Sequence, residues 1–248
     1  MEEMIAGKHA VLEALRSGRT INKIWIAQGS SPHLIQPVID AAKASGVIYQ
    51  FVDRRKLDQM FADKNIRHQG VAAQAAPHQY ADIEDLFSLA EERDEAPFFV
   101  ILDEIEDPHN LGSILRTVEC AGAHGVVIPR RRSAGITAVV AKISAGAVEY
   151  VPVARVSNLS QTIDMLKQRG VWIAGADAAA ERSVYEADLT GPLAIVIGSE
   201  GRGLSRLVRE KCDFLVKLPL LGRIQSLNAS VAAGILLYEA VRQRAARA

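Results

Sequence analysis

Short apolar runs alternate with segments of helical periodicity along most of this 248-residue chain. The runs Phe98–Leu102 and Leu193–Ile197 are apolar at every position, which is typical of strands buried on both faces of a sheet. Between such runs, apolar residues recur three and four positions apart, as in Leu159–Gln168. Strands that alternate with helices build parallel sheets covered by helices, so the pattern predicts an α/β protein.

An acidic stretch divides the chain. Residues 77–97 begin and end with proline and carry two runs of carboxylates, a composition that suits a connector between domains. We therefore expect a small α/β domain over residues 1–76, an acidic linker over 77–97 and a larger α/β domain over 98–248. The length of the chain accommodates two modest domains.

The formal net charge is zero, yet the basic residues are not evenly spread. The acidic linker masks two mildly basic blocks that contain compact clusters: Arg54–Lys56, Arg130–Arg132, and Arg242 with Arg244 and Arg247. Phosphate binding depends on local basic surface rather than on the total charge. These clusters permit an RNA partner, although solvated faces of ordinary helices explain any one of them equally well.

Composition also argues against several classes of protein. Cys120 and Cys212 lie far apart, which favours reduced thiols over a single disulfide. The six histidines show no metal-ligand spacing, so no metal is expected. No apolar run is long enough to cross a membrane, and the N-terminus lacks the basic region of a signal peptide. We expect a cytoplasmic protein.

Three loops that follow apolar strands carry the candidate chemistry, because open α/β sheets bind ligands at the carboxyl ends of their strands. The first loop leads to Asn110, at the start of a predicted helix, and to Arg116 within that helix. Taken alone, Asn110 also fits a helix cap and Arg116 fits a surface arginine or an ion pair.

The second and third loops are rich in small residues. Residues 198–203 contain three glycines, which let a backbone approach a ligand closely, although a tight turn needs no ligand. The third loop runs from Leu218 and Pro219 to the segment 226–231, where Ser226 also fits a cap of the last helix. None of these loops is decisive by itself.

Together, the three loops resemble the signature of the SpoU/TrmH family of RNA 2′-O-methyltransferases. N-x-G-S-I-x-R-T spans 110–117, I-G-S-E-G-x-G spans 197–203, and S-L-N-x-S-V follows L-P at 226–231. The amino-terminal segments 5–11 and 68–71 resemble the start and end of the family's accessory RNA-binding domain, which is similar to ribosomal protein L30e. The layout is most similar to the branch that methylates a guanosine of 23S ribosomal RNA. Transfer RNA or another ribosomal site remains open.

The resemblance implies a fold, a methyl donor and a set of site residues. The implied catalytic fold is a SPOUT-type parallel sheet with a carboxyl-terminal trefoil knot, working as a homodimer on large-subunit ribosomal RNA. The implied donor is S-adenosylmethionine (SAM), contacted by Ile197, Gly198, Gly201, Leu218, Pro219 and Leu227. The implied catalytic residues are Asn110, Arg116, Glu200, Ser226 and Asn228.

The family arginine has been proposed as a base, but a guanidinium stays protonated in proteins. We therefore expect Arg116 to grip an RNA phosphate and to stabilise the developing alkoxide. The other four catalytic candidates would hold the ribose and Arg116 in register.

Two functions from other classes compete with this interpretation. An RNA-binding assembly factor without catalysis would not require the intact set of polar motif residues. A nucleotide-dependent oxidoreductase would require G-x-G-x-x-G after its first strand, and the segment that follows Phe98–Leu102 contains no such motif.

Overall fold

A computed structural model describes residues 3–62 and 66–246. Arg247, the last member of the carboxyl-terminal basic cluster, lies outside the described residues. The chain forms two compact units. Unit 1 comprises Met1–Gln79 and Gly135–Tyr150, and unit 2 comprises Tyr80–Ala134 and Val151–Ala248.

The elements follow the predicted alternation of strands and helices. In chain order they are β1 (Glu3–Ala6), α1 (Lys8–Arg16), β2 (Ile21–Ala27), α2 (Pro32–Ala44), β3 (Tyr49–Val52), α3 (Arg54–Met60), β4 (Val71–Ala75), α4 (Ile83–Glu92), β5 (Phe98–Leu102), α5 (Pro108–Cys120), β6 (Gly125–Pro129), α6 (Ala138–Ile143), β7 (Val153–Val156), α7 (Leu159–Gln168), β8 (Trp172–Ala176), β9 (Leu193–Ile197), α8 (Arg206–Lys211), β10 (Phe214–Val216) and α9 (Ala229–Ala245). No helix in the described ranges is long and apolar enough to span a membrane.

Unit 1 is built on a four-stranded sheet in the order β1-β4-β2-β3. The strands β2 and β3 are parallel, while β4 runs antiparallel to both β1 and β2. Helices α1 and α2 bury their apolar faces with one side of the sheet. On the other side, Leu57 of α3 and Ala138 of α6 pack with Trp25. Side chains alternate between the two faces of a strand, so one short sheet supports both layers.

Helix α6 belongs to unit 1 although its sequence lies within the expected larger domain. We call residues 135–150, which include α6, the excursion. Arg19 anchors it, because its guanidinium donates to Glu149 Oε1 at 2.7 Å, to Glu3 Oε2 at 2.5 Å and to the carbonyl of Ala76. The side chains of Arg19 and Glu149 are almost fully buried. A buried charge is tolerated only when it is paired and hydrogen-bonded, so this network holds residues 135–150 on unit 1.

The expected division at residues 76 and 98 therefore differs from the two units in two respects. The excursion 135–150 belongs to unit 1 rather than to the larger domain, and most of the predicted acidic linker belongs to unit 2 rather than connecting two domains. Within 77–97, α4 buries Leu86, Phe87 and Ala90 in unit 2, and Asp82 and Asp85 form a capping box at its start. The acidic residues lie on the solvent side of an amphipathic helix, and composition alone does not distinguish such a helix from a connector.

Unit 2 is built on a six-stranded sheet in the order β10-β8-β9-β5-β6-β7. Every strand pair is parallel, which confirms the predicted parallel sheet. The central strands β5 and β9 are buried at every position. All six carboxyl ends lie along one edge, and the loops after β8, β9 and β10 are neighbours there. The trefoil knot stays a prediction.

One expected strand is misplaced. The sequence suggests a strand near Tyr150–Val153, but a 3-10 turn ends at Glu149 and β7 begins only at Val153. Pairing with β6 sets this start, since Val153 lies opposite Val126. The short elements β1 and α8 were not predicted, because so few residues carry little periodicity.

Candidate active site

A cavity opens at the carboxyl edge of the sheet in unit 2. Its volume is about 840 Å³, counting the part open to solvent. Small and apolar residues make up most of its wall, and they come from the loops after β8, β9 and β10 and from α9. The lining residues include Ala176, Asp177, Ile197, Gly198, Glu200, Gly201, Val216, Lys217, Leu218, Gln225, Ser226, Leu227, Ala232 and Leu236.

Gly198 gives this cavity its shape, because the loop after β9 folds back on it. Ser199 and Gly203 exchange two backbone hydrogen bonds, of 3.1 and 2.9 Å. A β-carbon on Gly198 would lie 2.3 Å from the carbonyl carbon of Gly203 and 2.5 Å from the nitrogen of Leu204. No side chain fits there without moving the backbone, so the sequence must carry glycine at this position.

Glu200 joins the three motif loops. One of its oxygens, Oε1, accepts hydrogen bonds from the side-chain amides of Asn110 at 2.8 Å and Asn228 at 2.5 Å. The backbone N–H of Ala229 donates to the same oxygen at 3.2 Å, and the Asn228 amide also donates to Asn110 Oδ1 at 2.9 Å. Glu200 lines the cavity, whereas Asn110 and Asn228 do not. The three segments, far apart in sequence, meet at one carboxylate.

Neither Asn110 nor Ser226 caps a helix. Asp107 caps α5 by accepting from the N–H of His109, and Asn228 caps α9 by accepting from the N–H groups of Ser230 and Val231. Asn110 is therefore free of the capping role that would otherwise explain it, and its 8% exposed side chain is committed to Glu200.

Most of the expected donor-binding residues lie in the cavity wall. Ile197, Gly198, Gly201, Leu218 and Leu227 all line it, as does the catalytic candidate Ser226. Pro219, although adjacent in sequence to Leu218, is not part of the wall.

Arg116 stands apart from this group. It is exposed on α5 and does not line the cavity, and its guanidinium has no hydrogen bond or ion pair with another residue in the described ranges. It follows Asn110 by six helical positions, which displaces it by about 9 Å along the helix and turns it to another side. Within one chain, the structure does not bring Arg116 to the residues that line the cavity.

Sequence reasoning missed Asp177, which lies just after β8 in the cavity wall. Its carboxylate accepts from Arg209 Nε at 2.5 Å and from the N–H of Ala179 at 2.7 Å. Burial acts to raise the pKa of Asp177, but these hydrogen bonds outweigh it and hold the pKa below its usual value. An acidic residue at the carboxyl end of a predicted strand was the available signal.

The basic clusters have different environments. Arg54–Lys56 begin α3, and Arg132 follows β6 and pairs with Glu104 at 2.8 Å. Arg244, by contrast, donates to the carbonyl of Gly191 at 2.7 Å and lies over the ring of Phe98. The carboxyl-terminal cluster therefore includes an arginine that ties α9 to the rest of unit 2.

Models of two protein families match this chain. The model of the SpoU rRNA methylase family matches residues 97–238, and the model of the RNA 2′-O ribose methyltransferase substrate-binding domain matches residues 4–81. The chain is a member of the SpoU methylase family. The first match contains all three loops around Glu200, and the second covers most of unit 1.

Two bacterial proteins are similar to this chain in sequence over nearly its whole length. YacO of Bacillus subtilis, whose name places it among TrmH family tRNA/rRNA methyltransferases, is 54% identical over 242 residues, covering 98% of this chain and 96% of YacO. A Staphylococcus haemolyticus protein of the same family name is 50% identical over 245 residues, covering 98% of this chain and 97% of its own. These names join transfer RNA and ribosomal RNA without choosing between them.

Solved structures of methyltransferases share the fold. AviRb from Streptomyces viridochromogenes, crystallised with the cofactor AdoMet, superposes with a TM-score of 0.81 at 24% identity, covering 99% of this chain and 91% of AviRb. An AdoMet-bound rRNA methyltransferase from Sinorhizobium meliloti gives a TM-score of 0.76 at 26% identity, covering 97% and 87% of the two chains. The α/β architecture is that of the family.

Proposed function

We propose that this SpoU-family protein transfers the methyl group of SAM to a ribose 2′-oxygen of RNA. The observation that carries the proposal is the position of Glu200, which lines the cavity and accepts hydrogen bonds from Asn110, Asn228 and Ala229. One carboxylate thereby holds the loop that follows β9, the start of α5 and the start of α9 in a single site.

The residues of the cavity fit SAM. Ile197, Leu218 and Leu227 supply an apolar slot for an adenine ring. The missing side chain at Gly198 lets the backbone of Gly203 pack against it, which shapes the wall beside this slot. Glu200 adds a carboxylate to the wall, which suits a donor that carries a sulfonium. When bound, SAM supplies an activated methyl group whose departure needs no protonation.

The protein then has two tasks, which are to align the ribose oxygen with the methyl group and to manage the hydroxyl proton. In our proposal, Ser226 at the cavity wall and the Asn110–Glu200–Asn228 cluster position the ribose. Arg116 grips the neighbouring RNA phosphate and stabilises charge on the attacking oxygen, because a guanidinium is a fixed cation with several donors.

The separation of Arg116 from its own cavity is consistent with a homodimer. Helix α9 leaves Val231, Ile235 and Tyr238 substantially exposed along one side, although it packs against α5, the helix that carries Arg116. Apolar side chains at this helical spacing form a self-complementary stripe that a two-fold partner would cover. We propose that α5 and α9 form the dimer interface, so that Arg116 acts at the boundary between subunits.

The proposed substrate is a guanosine of 23S ribosomal RNA in the cytoplasm. Its support is the layout of a substrate-binding domain ahead of the catalytic domain, together with names of relatives that include rRNA methyltransferases. Transfer RNA is the alternative, and it would be methylated by the same chemistry.

One assay tests the donor, the reaction and the substrate together. Isotopically labelled SAM is supplied with unmodified large-subunit rRNA or with tRNA, and the labelled ribose is mapped. We expect label on a ribose of the rRNA. Label on tRNA alone would change the substrate, and label on neither RNA would reject the proposed activity. In the same assay, Arg116→Ala should lose most of its turnover and Arg116→Lys should recover part of it. Near-wild-type turnover of the alanine variant would remove Arg116 from the mechanism.

A further inference from the structure

A cluster of cations lies on unit 1, where β1 ends and α1 begins. Gly7 occupies the turn, with a φ of +104° that a side chain would strain. A β-carbon built on Gly7 would lie 3.4 Å from Oε1 of Gln69 and 3.7 Å from Cγ of Lys142. Three segments therefore meet here: the β1–α1 turn, the loop that precedes β4, and helix α6 of the excursion 135–150.

The loop before β4 is held firmly in place. His68 is buried, its Nε2 lies 2.9 Å from Asp58 Oδ1, and its Nδ1 accepts from the N–H of Gly70 at 3.0 Å. These two contacts fix the residues on either side, Arg67 and Gln69. Gln69 has a φ of +53°, which is uncommon for a residue other than glycine. Strained backbone that is retained by such anchoring tends to occur at binding sites.

The cations of this cluster are not neutralised by any carboxylate in the described part of the chain. Among the residues that the structure describes, Lys8, Arg67 and Lys142 have no ion pair with a carboxylate, and the first turn of α1 contains no acidic residue. Burial lowers the pKa of the Lys142 amine, and the positive charge of Arg67 lowers it further. Bringing like charges together costs free energy, and no ion pair with a described carboxylate of unit 1 offsets this cost, which is expected of a surface that binds an anion.

We propose that Arg67 and Lys142 bind a backbone phosphate of the RNA substrate, with the Gln69 amide and Lys8 beside it. The inference rests on the proposed function, because it takes RNA as the substrate. The inference also explains why residues 135–150 pack with the amino-terminal residues of unit 1. Lys142 lies on α6, so the phosphate site is complete only when this segment is in place.

The test uses the full-length protein and charge-neutralising variants. Arg67→Gln, Lys142→Gln and the double variant are compared with Lys43→Gln, which removes an exposed lysine at the end of α2, a helix on the other face of the same sheet. Lys142→Arg keeps the charge. Binding of unmodified large-subunit rRNA transcript is measured without SAM by filter binding over a range of salt concentrations.

Each lost phosphate contact should reduce the slope of log affinity against log salt by about 0.7, which corresponds to about fourfold weaker binding near 0.15 M salt. The double variant loses this one phosphate contact and should therefore show the full loss of about fourfold, and each single variant should lose part of it. Lys142→Arg should bind nearly as the wild type does, and Lys43→Gln should be unchanged. In methylation assays, KM for RNA should rise by similar factors while kcat and KM for SAM stay constant.

Equal affinity and equal salt slope for Lys142→Gln and Lys43→Gln would overturn the proposal. So would a loss of affinity in Lys142→Gln that the arginine variant fails to restore, since a phosphate contact depends on the charge. A wild-type protein that binds RNA with the expected variant effects but transfers no methyl group would instead overturn the proposed function and leave the phosphate site standing.

Discussion

Glu200→Ala should destabilise unit 2 and loosen the donor cavity at the same time. The carboxylate oxygen Oε1 accepts from the amides of Asn110 and Asn228 and from the N–H of Ala229, and alanine removes all three bonds. Hydrogen bonds to charged groups contribute about 1.5–3 kcal/mol each when buried. Glu200 is exposed to solvent while Asn110 is buried, so a loss of about 2–3 kcal/mol in total is the reasonable expectation.

For a domain of about 150 residues, such a loss lowers Tm by roughly 4–12 °C. The start of α9 and the loop after β9 are no longer tied together, so affinity for SAM should fall as well. Glu200→Gln keeps an oxygen that can accept and should lose less of both. Glu210→Ala is the control, since Glu210 is an exposed partner of Arg206 on α8 and contacts none of the three loops.

Thermal unfolding and calorimetric titration with SAM measure the two effects. A double-mutant cycle with Asn110→Ala should be non-additive, because both substitutions remove the same bond. If Glu200→Ala matched Glu210→Ala in Tm to within about 1 °C and bound SAM as the wild type does, the cluster would not hold the site together.

Three further predictions concern other parts of unit 2. Gly198→Ala places a methyl group against the backbone of Gly203, so the variant should lose SAM binding and about 1–3 kcal/mol of unfolding free energy. Calorimetric titration with SAM that matches the wild type would refute the clash. Burial lowers the pKa of His124 below that of the unfolded chain, and its Nδ1 accepts from the Phe98 N–H, so stability should fall as pH drops below about 6.5. In His124→Gln, the urea midpoint of unfolding should change less with pH across that range. An identical pH dependence in both proteins would show that His124 is not its cause. Tyr238→Asp should convert the proposed dimer to monomer in analytical ultracentrifugation, whereas an unchanged mass would place the interface elsewhere.

Local patterns in the sequence were sufficient to predict much of the fold. Five consecutive apolar residues at Phe98–Leu102 and Leu193–Ile197 predict buried strands, and both strands occupy those bounds. The helix Leu159–Gln168 also has its predicted bounds. These features depend on the hydrophobicity of near neighbours, which the sequence displays directly.

Tertiary structure alone decided which distant segments meet. Helix α6 has ordinary apolar periodicity, and nothing within it says that it covers the sheet of unit 1 rather than that of unit 2. The same holds for Asp177 in the cavity wall, for the convergence of Asn110 and Asn228 on Glu200, and for the distance of Arg116 from them. Each depends on contacts between residues that lie many tens of positions apart. Several arrangements of the same helices and strands satisfy the local periodicity equally well, and only strand order and side-chain packing decide among them.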